Sequence, residues 1–297
     1  MLRRYPTPYA PQRKLQAVLR HHFPSFIRKT FATVSPAHPY MPSWHIDAIA
    51  WHLQQCLDGK IRRLIINLPP RSLKSICASV AFPAYVLGKD PRLGIICLSY
   101  ANDLTAKIAR DCRLVLESEW YQGVFPNTRI SRYKNTETEV ETTAGGFRYG
   151  SSVTGSVTGR GADVIIIDDP MKPADGMSET KRSSVNHWFD NTVYSRLDRK
   201  DKGVIIIIMQ RLNVDDLVGH VLGQADWVVL NLPAIAEVPQ RIQIGPDQWF
   251  ERKPGDLLHP ERESQHTLDV LRETLGTYNF SAQYQQNPIP AEGTLIH

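Results

Sequence analysis

Runs of branched apolar residues that each stop at polar or charged side chains constrain this chain more than any other feature. Residues 164–167 read Val-Ile-Ile-Ile and end at Asp168 and Asp169. Residues 204–209 read Val-Ile-Ile-Ile-Ile-Met and end at Gln210 and Arg211. Residues 93–99 form a third run, and 61–68 lead into Pro69, Pro70, Arg71, Ser72, Leu73, Lys74 and Ser75. Such blocks, apolar without strict alternation, fit strands buried on both faces. Between them lie stretches with helical spacing. Ser43 can cap a helix with Ile46, Ile49, Leu53 and Leu57 on one face, closed by Gly59. Residues 76–87 read as a second helix, and a third starts at Asn102 with Leu104, Ile108, Cys112, Val115 and Leu116 in register. A fourth starts at Ser178 and carries Val185, Trp188, Phe189, Thr192, Val193 and Leu197. The alternation predicts an α/β fold with a mostly parallel central sheet flanked by helices, and ligands bind such sheets at the carboxyl ends of the strands.

The rest of the chain is read around that core. Residues 140–149, with Gly145 and Gly146 at the centre, predict a hairpin, and 227–232 a fifth strand. Residues 233–260 are richer in proline and glycine and have weak periodicity, which predicts a small lid or linker. A helix over 267–275 ends at Gly276, and 279–286 form a short polar helix before Pro288. The expected organisation is a basic N-terminal arm over 1–42, a core over 43–232 and a lid and linker over 233–297.

At 297 residues and 42% hydrophobic, the chain can bury a full core and is neither disordered nor fibrous. No run of about 18 apolar residues occurs, so no membrane span is indicated. Cys56, Cys77, Cys97 and Cys112 stand singly in apolar stretches without a C-x-x-C pair, against zinc and against a disulfide framework. The net charge of +5 is unevenly placed. No acidic residue precedes Asp47, whereas Arg3, Arg4, Arg13, Lys14, Arg20, Arg28 and Lys29 all do, and the remainder is near neutral. Pro6, Pro8, Pro11 and Pro24 break up the long amphipathic helix of a transit peptide. A basic arm that touches DNA phosphates or a neighbouring subunit is one reading, and a merely solvated arm is the other.

Chemistry enters with Lys74-Ser75. A Lys-Ser pair that follows a buried strand and opens a helix is where a P-loop places its phosphate-binding lysine and its magnesium-binding hydroxyl, with helix amides aimed at the phosphates. Leu68 and Leu73 stand where both glycines of that motif belong, so an ordinary basic loop is the alternative. Asp168 and Asp169, after four branched residues, have the form of a Walker B strand, whose first carboxylate serves magnesium and whose second can polarise a water. A helix cap or solvated turn is the weaker reading. Gln210 ends a strand that would lie beside the P-loop strand, where such a residue can sense the γ-phosphate.

From about Tyr40 onward the sequence resembles phage terminase large subunits. The resemblance is carried by an ordered set: Leu68-Pro-Pro-Arg-Ser-Leu-Lys-Ser75, Thr158-Gly-Arg-Gly-Ala-Asp163, Ile165-Ile-Ile-Asp-Asp-Pro170, Gln210-Arg-Leu-Asn-Val-Asp-Asp-Leu217, Leu232-Pro-Ala-Ile-Ala236 and Phe280-Ser-Ala-Gln-Tyr-Gln-Gln-Asn-Pro288, followed by Glu292-Gly293. It implies an ASCE-type P-loop ATPase that hydrolyses ATP with Mg2+ to drive double-stranded DNA into a procapsid. It also implies a homo-oligomeric ring, commonly a pentamer, on the portal protein, a small terminase subunit that selects the DNA, and a place in the host cytoplasm. Carried over by position, Arg71, Ser72, Leu73, Lys74 and Ser75 would cradle the phosphates, Ser75 and Asp168 would hold magnesium, and Asp169 would be the catalytic carboxylate. Arg71 matches an arginine kept inside the family's P-loop, and Gln210 matches its coupling motif. His45 stands near an adenine-contacting glutamine of related motors, with a buried structural histidine as the alternative. Arg160 matches an arginine that acts across a subunit boundary, with pairing to Asp163 in its own loop as the alternative. The family also carries an RNase H-like nuclease domain, expected here to be absent, so that this chain alone is expected not to cut DNA. A helicase-like translocase and a non-hydrolysing adaptor with a degenerate P-loop are the rival readings.

Overall fold

A computed structural model describes residues 10–153, 155, 159–224 and 226–290. Arg3, Arg4, Thr158 and the Glu292-Gly293 pair lie outside them. In chain order, helices α1 (Ala10–His21), α2 (Phe23–Val34) and α3 (Trp44–Leu57) precede β1 (Arg63–Asn67). A π-helical segment, Ile76–Ala81, continues into α4 (Phe82–Lys89), then β2 (Gly94–Ser99), α5 (Asn102–Glu117) and α6 (Glu119–Val124). Three strands follow, β3 (Ile130–Asn135), β4 (Glu139–Thr142) and β5 (Phe147–Ser152), and then β6 (Val164–Asp168) and α7 (Glu179–Trp188). Next come β7 (Val204–Met209), α8 (Leu217–Leu222), β8 (Val228–Asn231), the pair β9 (Gln240–Gly245) and β10 (Gln248–Arg252), and α9 (Gln265–Gln283).

The strands from β1 to β8 form one sheet in the order β3-β4-β5-β2-β6-β7-β1-β8. From β5 to β8 every pairing is parallel, and β4 runs antiparallel to both β3 and β5. The branched runs explain why both faces are covered. Successive side chains point to opposite faces, so Leu64, Ile66, Ile166 and Ile206 enter a core under α2 to α5. Ile65, Ile165, Ile167, Ile205 and Ile207 enter a second core under α7 and α8. Each fully buried Ile or Leu contributes roughly 1.5–3 kcal/mol.

The expected arm is a correction. From Ala10 on it is two helices, and α2 belongs to the core, with Phe23, Phe26, Ile27 and Phe31 buried. Phe23 packs on Tyr85 with centroids 4.7 Å apart, and Phe26 on Trp120 at 5.3 Å. Arg20 donates to the Val124 carbonyl, and Tyr85 donates to the Arg20 carbonyl. The missing carboxylates therefore mark a face that packs as well as one that is solvated. Pro24 is accommodated because it occupies the first turn of α2, where no backbone N–H is required.

Two details of the expected helices also differ. Ser43 holds the cap position of α3, but its hydroxyl does not cap the helix and lies 2.6 Å from His45 Nδ1 instead. The helix after Ser75 opens in π form, with Phe82 N–H donating to Cys77 five residues back. Pro83 has no N–H for the ordinary bond to Ser79, and the wider turn precedes it. The region over 233–260 is more ordered than its composition suggests. β9 and β10 form an antiparallel hairpin turned at Pro246-Asp247, with Asp247 left-handed at φ 54. Gly276, at φ 74 and ψ 160, breaks α9 where the sequence places a helix end. Among the described residues no helix is long and apolar enough to cross a membrane, and all four cysteines are buried and free.

Candidate active site

The segment from β1 to the following helix and the carboxyl ends of β6 and β7 meet at one place. Lys74 opens the helix and is 6% exposed; its Nζ lies 2.8 Å from Asp169 Oδ2 and 3.5 Å from Gln210 Oε1. Ser75 Oγ donates to Asp168 Oδ1 at 3.1 Å. The Gln210 backbone N–H points at Asp169 Oδ1, 3.4 Å away. β6, which ends at Asp168 with Asp169 directly after it, is separated from β1 by β7, which Gln210 directly follows. A strand inserted between the lysine strand and the carboxylate strand is the mark of one class of nucleotide-binding sheet.

The fold is that of an ASCE-type P-loop domain.

Among solved structures, the chain is similar to the ATPase domain of the Thermus phage P74-26 large terminase. The identity is 15% and the TM-score 0.48, over 86% of this chain and 95% of that one. An arginine-to-alanine mutant of that domain gives 14% and 0.49, over 87% and 98%. The HK97 bacteriophage large terminase gives 12% and 0.46, over 72% of this chain and 44% of that one, so the chain spans less than half of that protein. No protein-family model and no curated protein matches the chain.

The loop reaches its shape without the glycines. Arg71 at φ 63 and Leu73 at φ 61 are left-handed, as is Asp169 at φ 45. That conformation costs an L-residue roughly 1–2 kcal/mol, and three such residues around one lysine are strain held in place by the surrounding fold. Leu73 is retained by packing, since its half-buried side chain rests against the core under α2 to α5.

Asp168 is 1% exposed. Burial and the adjacent Asp169 carboxylate push its pKa up to about 6, against hydrogen bonds from Ser79 and Ser75 and the charge of Lys74. Asp168 Oδ1 and Ser75 Oγ are adjacent hard oxygen donors, a set that fits a magnesium ion taking few protein ligands and completing its shell with water and phosphate. A divalent cation there would favour the ionised carboxylate.

A cleft of about 900 Å³ opens over this group. Its floor includes Lys74, Ser75, Asp169 and Gln210, and Arg71 and Arg262 stand on its rim. Beside it lies a narrow pocket lined by His45, Ser72, Leu73 and His259. His45 is buried, and desolvation, reinforced by His259, pushes its pKa down to about 3. It is thus a neutral buried histidine, held on one side by Ser43 and adjoining the cleft on the other.

Arg160 is placed elsewhere. Its guanidinium forms a two-pronged ion pair with Glu139 and lies 4.1 Å from the Tyr149 ring centroid. Asp163, the partner considered for it, accepts from Gly94 N–H instead. Tyr149 is on β5, four strand steps from β1, or about 19 Å at 4.8 Å per step. Arg160 therefore does not join the cluster of its own chain.

Sequence reasoning missed Ser79, which donates to Asp168 Oδ2 at 2.7 Å. Its position four residues beyond Ser75 on one helix was a usable signal. It also missed His259 and Arg262. Nothing local marks them, because the docking of the segment after β10 brings His259 to the narrow pocket and Arg262 to both that pocket and the cleft.

Proposed function

We propose that this chain is the ATP-hydrolysing motor domain of a terminase large subunit, which translocates double-stranded DNA into a procapsid through the portal protein. The observation that carries the reading is Lys74 Nζ held between Asp169 and Gln210, with Ser75 on Asp168, at the carboxyl ends of three adjacent strands. The ordered motifs that resemble terminases direct it to DNA packaging rather than to another motor. In this reading Lys74 binds the β- and γ-phosphates, and the amides of 71–75 cradle them. Arg71 adds charge from the rim, and His45 and Ser72 border the base-side pocket. Magnesium, held by Ser75 and Asp168, would neutralise phosphate charge. A γ-phosphate competes with Asp169 for Lys74, and the carboxylate so released can accept a proton from an attacking water. Gln210, within reach of the same lysine, registers the exchange. Arg160 would serve a neighbouring subunit in a ring, and the region over 233–297 would act as lid and linker. A small terminase subunit that selects the DNA, and the host cytoplasm as setting, belong to the same proposal.

The test is ATP turnover with magnesium, with and without double-stranded DNA. Lys74→Ala and Asp168→Ala should each lower turnover at least about 100-fold, because each removes a charge that balances phosphate. Circular dichroism should show both variants folded. Turnover near the unsubstituted level in either folded variant would sink the site assignment, and no turnover by the unsubstituted chain would favour a nucleotide-binding adaptor.

A further inference from the structure

The segment Phe280-Ser-Ala-Gln-Tyr-Gln-Gln-Asn-Pro288 has no role in the site as described, yet it touches the site directly. Gln286 is buried and left-handed at φ 55. Its Oε1 accepts from the Arg211 backbone N–H at 3.0 Å, and its Nε2 donates to the Gln283 carbonyl. The peptide it grips is the one immediately after Gln210, whose Oε1 faces Lys74. A second tie joins the same loop to the preceding part of α9, from Asn213 Nδ2 to Tyr278 Oη at 2.9 Å.

The loop between those ties is braced from within. Asp216, almost wholly buried, accepts from Arg211 Nε and from the N–H groups of Leu212, Asn213 and Gly219. A displacement of Gln210 therefore moves 210–216 as a unit and loads both ties. The neighbouring Gln285 faces the other way. Its amide accepts from Ile235 N–H and donates to the Ile235 carbonyl and to Glu237. Two consecutive buried glutamines thus fasten the γ-phosphate-facing strand end on one side and the start of the lid region on the other.

We propose that Gln286 is a positioning residue for hydrolysis: its side-chain amide fixes the peptide between Gln210 and Arg211, and so sets where Gln210 meets Lys74 and the γ-phosphate. The left-handed backbone fits this role, since a non-glycine residue keeps it only where its contacts over-determine it. The inference rests on the ATPase reading above.

Gln286→Gly supplies the test, because glycine adopts φ 55 without strain while removing the side chain that carries the amide. Steady-state ATP turnover and equilibrium binding of a fluorescent ATP analogue are measured on the whole chain. The expected result is a kcat lowered about tenfold or more with the Kd changed less than about twofold, the signature of an interaction used after binding. Gln286→Glu keeps an acceptor for Arg211 N–H but loses the donor to Gln283, and should recover part of the kcat. An unchanged kcat in Gln286→Gly, or equal losses of kcat and affinity, overturns the proposal. If the unsubstituted chain binds ATP and does not hydrolyse it, the ATPase reading fails first and takes this inference with it.

Discussion

Leu73 carries the clearest argument at the scale of a residue. Its backbone already has the conformation that a P-loop glycine supplies, so the missing glycine changes what the loop costs more than what shape it has. Leu73→Gly should leave affinity for an ATP analogue within about threefold. Leu73→Val should lower it about tenfold, since a β-branched residue resists positive φ by roughly 1–2 kcal/mol or more. Similar affinity for both variants would show that the loop does not need this conformation. His45 allows a second prediction. Its folded-state pKa is about 3 against 6.5 for the exposed side chain. Between those values the unfolded chain binds a proton that the folded chain does not. Stability from this group is therefore complete above about pH 6.5 and falls as pH drops towards 3, by at most about 1.4 kcal/mol per unit. Urea midpoints at pH 7.5, 6.0 and 5.0 should show that fall, and His45→Gln should flatten it. An unaltered slope in the variant would assign the acid sensitivity to other groups.

Among the elements, the hairpin β9–β10 packs along α3, with Ile242 entering the core under α2 to α5. Phe250 stacks on Trp44 at 4.3 Å and 3°. Arg252, buried, donates to the carbonyls of Pro233 and Asp256 and to Gln240 Oε1, and its guanidinium lies 5.4 Å from the Trp44 ring. Burial pushes its pKa down to about 10, so it remains charged at neutral pH. Arg252→Met keeps the apolar stem and strands those carbonyls, which should cost about 2 kcal/mol or more. The loss should be local. In hydrogen exchange, amides of β9 and β10 should lose protection while those of β6 and β7 keep theirs, because the hairpin shares no strand pairing with the main sheet. Equal loss in both would mean that the lid and the sheet unfold together. Since Arg262 lines the cleft and His259 the narrow pocket beside it, the same variant should also weaken nucleotide binding.

Arg160 belongs to the scale of the whole molecule. Its guanidinium lies over Tyr149 on β5, four strand steps from the P-loop strand, and in the proposed reading it serves a γ-phosphate on another copy of the chain. Its pairing with Glu139 and its place over Tyr149 hold it on the outer part of the sheet. Arg160→Ala retains its phosphate site, and Lys74→Ala retains its arginine. Mixed at concentrations that assemble, the two should recover part of the hydrolysis each lacks alone, given that such arginines contribute about 10³ to 10⁵ in rate. Normal turnover by Arg160→Ala in assemblies, or no recovery despite demonstrated co-assembly, would leave Arg160 as a brace between β5 and its own loop.

The sequence by itself determined the sheet and which residues meet at the centre of the candidate site. Runs such as 164–167 and 204–209 have no polar alternation and can only be buried on both sides, and a parallel sheet brings their polar ends to one edge. Lys74, Ser75, Asp168, Asp169 and Gln210 were legible for that reason. What followed from docking between distant segments was not. The basic beginning of the chain became part of the core because α2 offers Phe23, Phe26 and Ile27 to a cluster that includes the aromatic residues of 82–85 and 120–125. Leu73 and Asp169 took left-handed backbones that no local preference favours, because the packing around them outweighs a cost of a kilocalorie or two. Arg160 found Glu139 rather than its close sequence neighbour Asp163, because strand order, which only the assembled sheet decides, set β4 and β5 beside its loop.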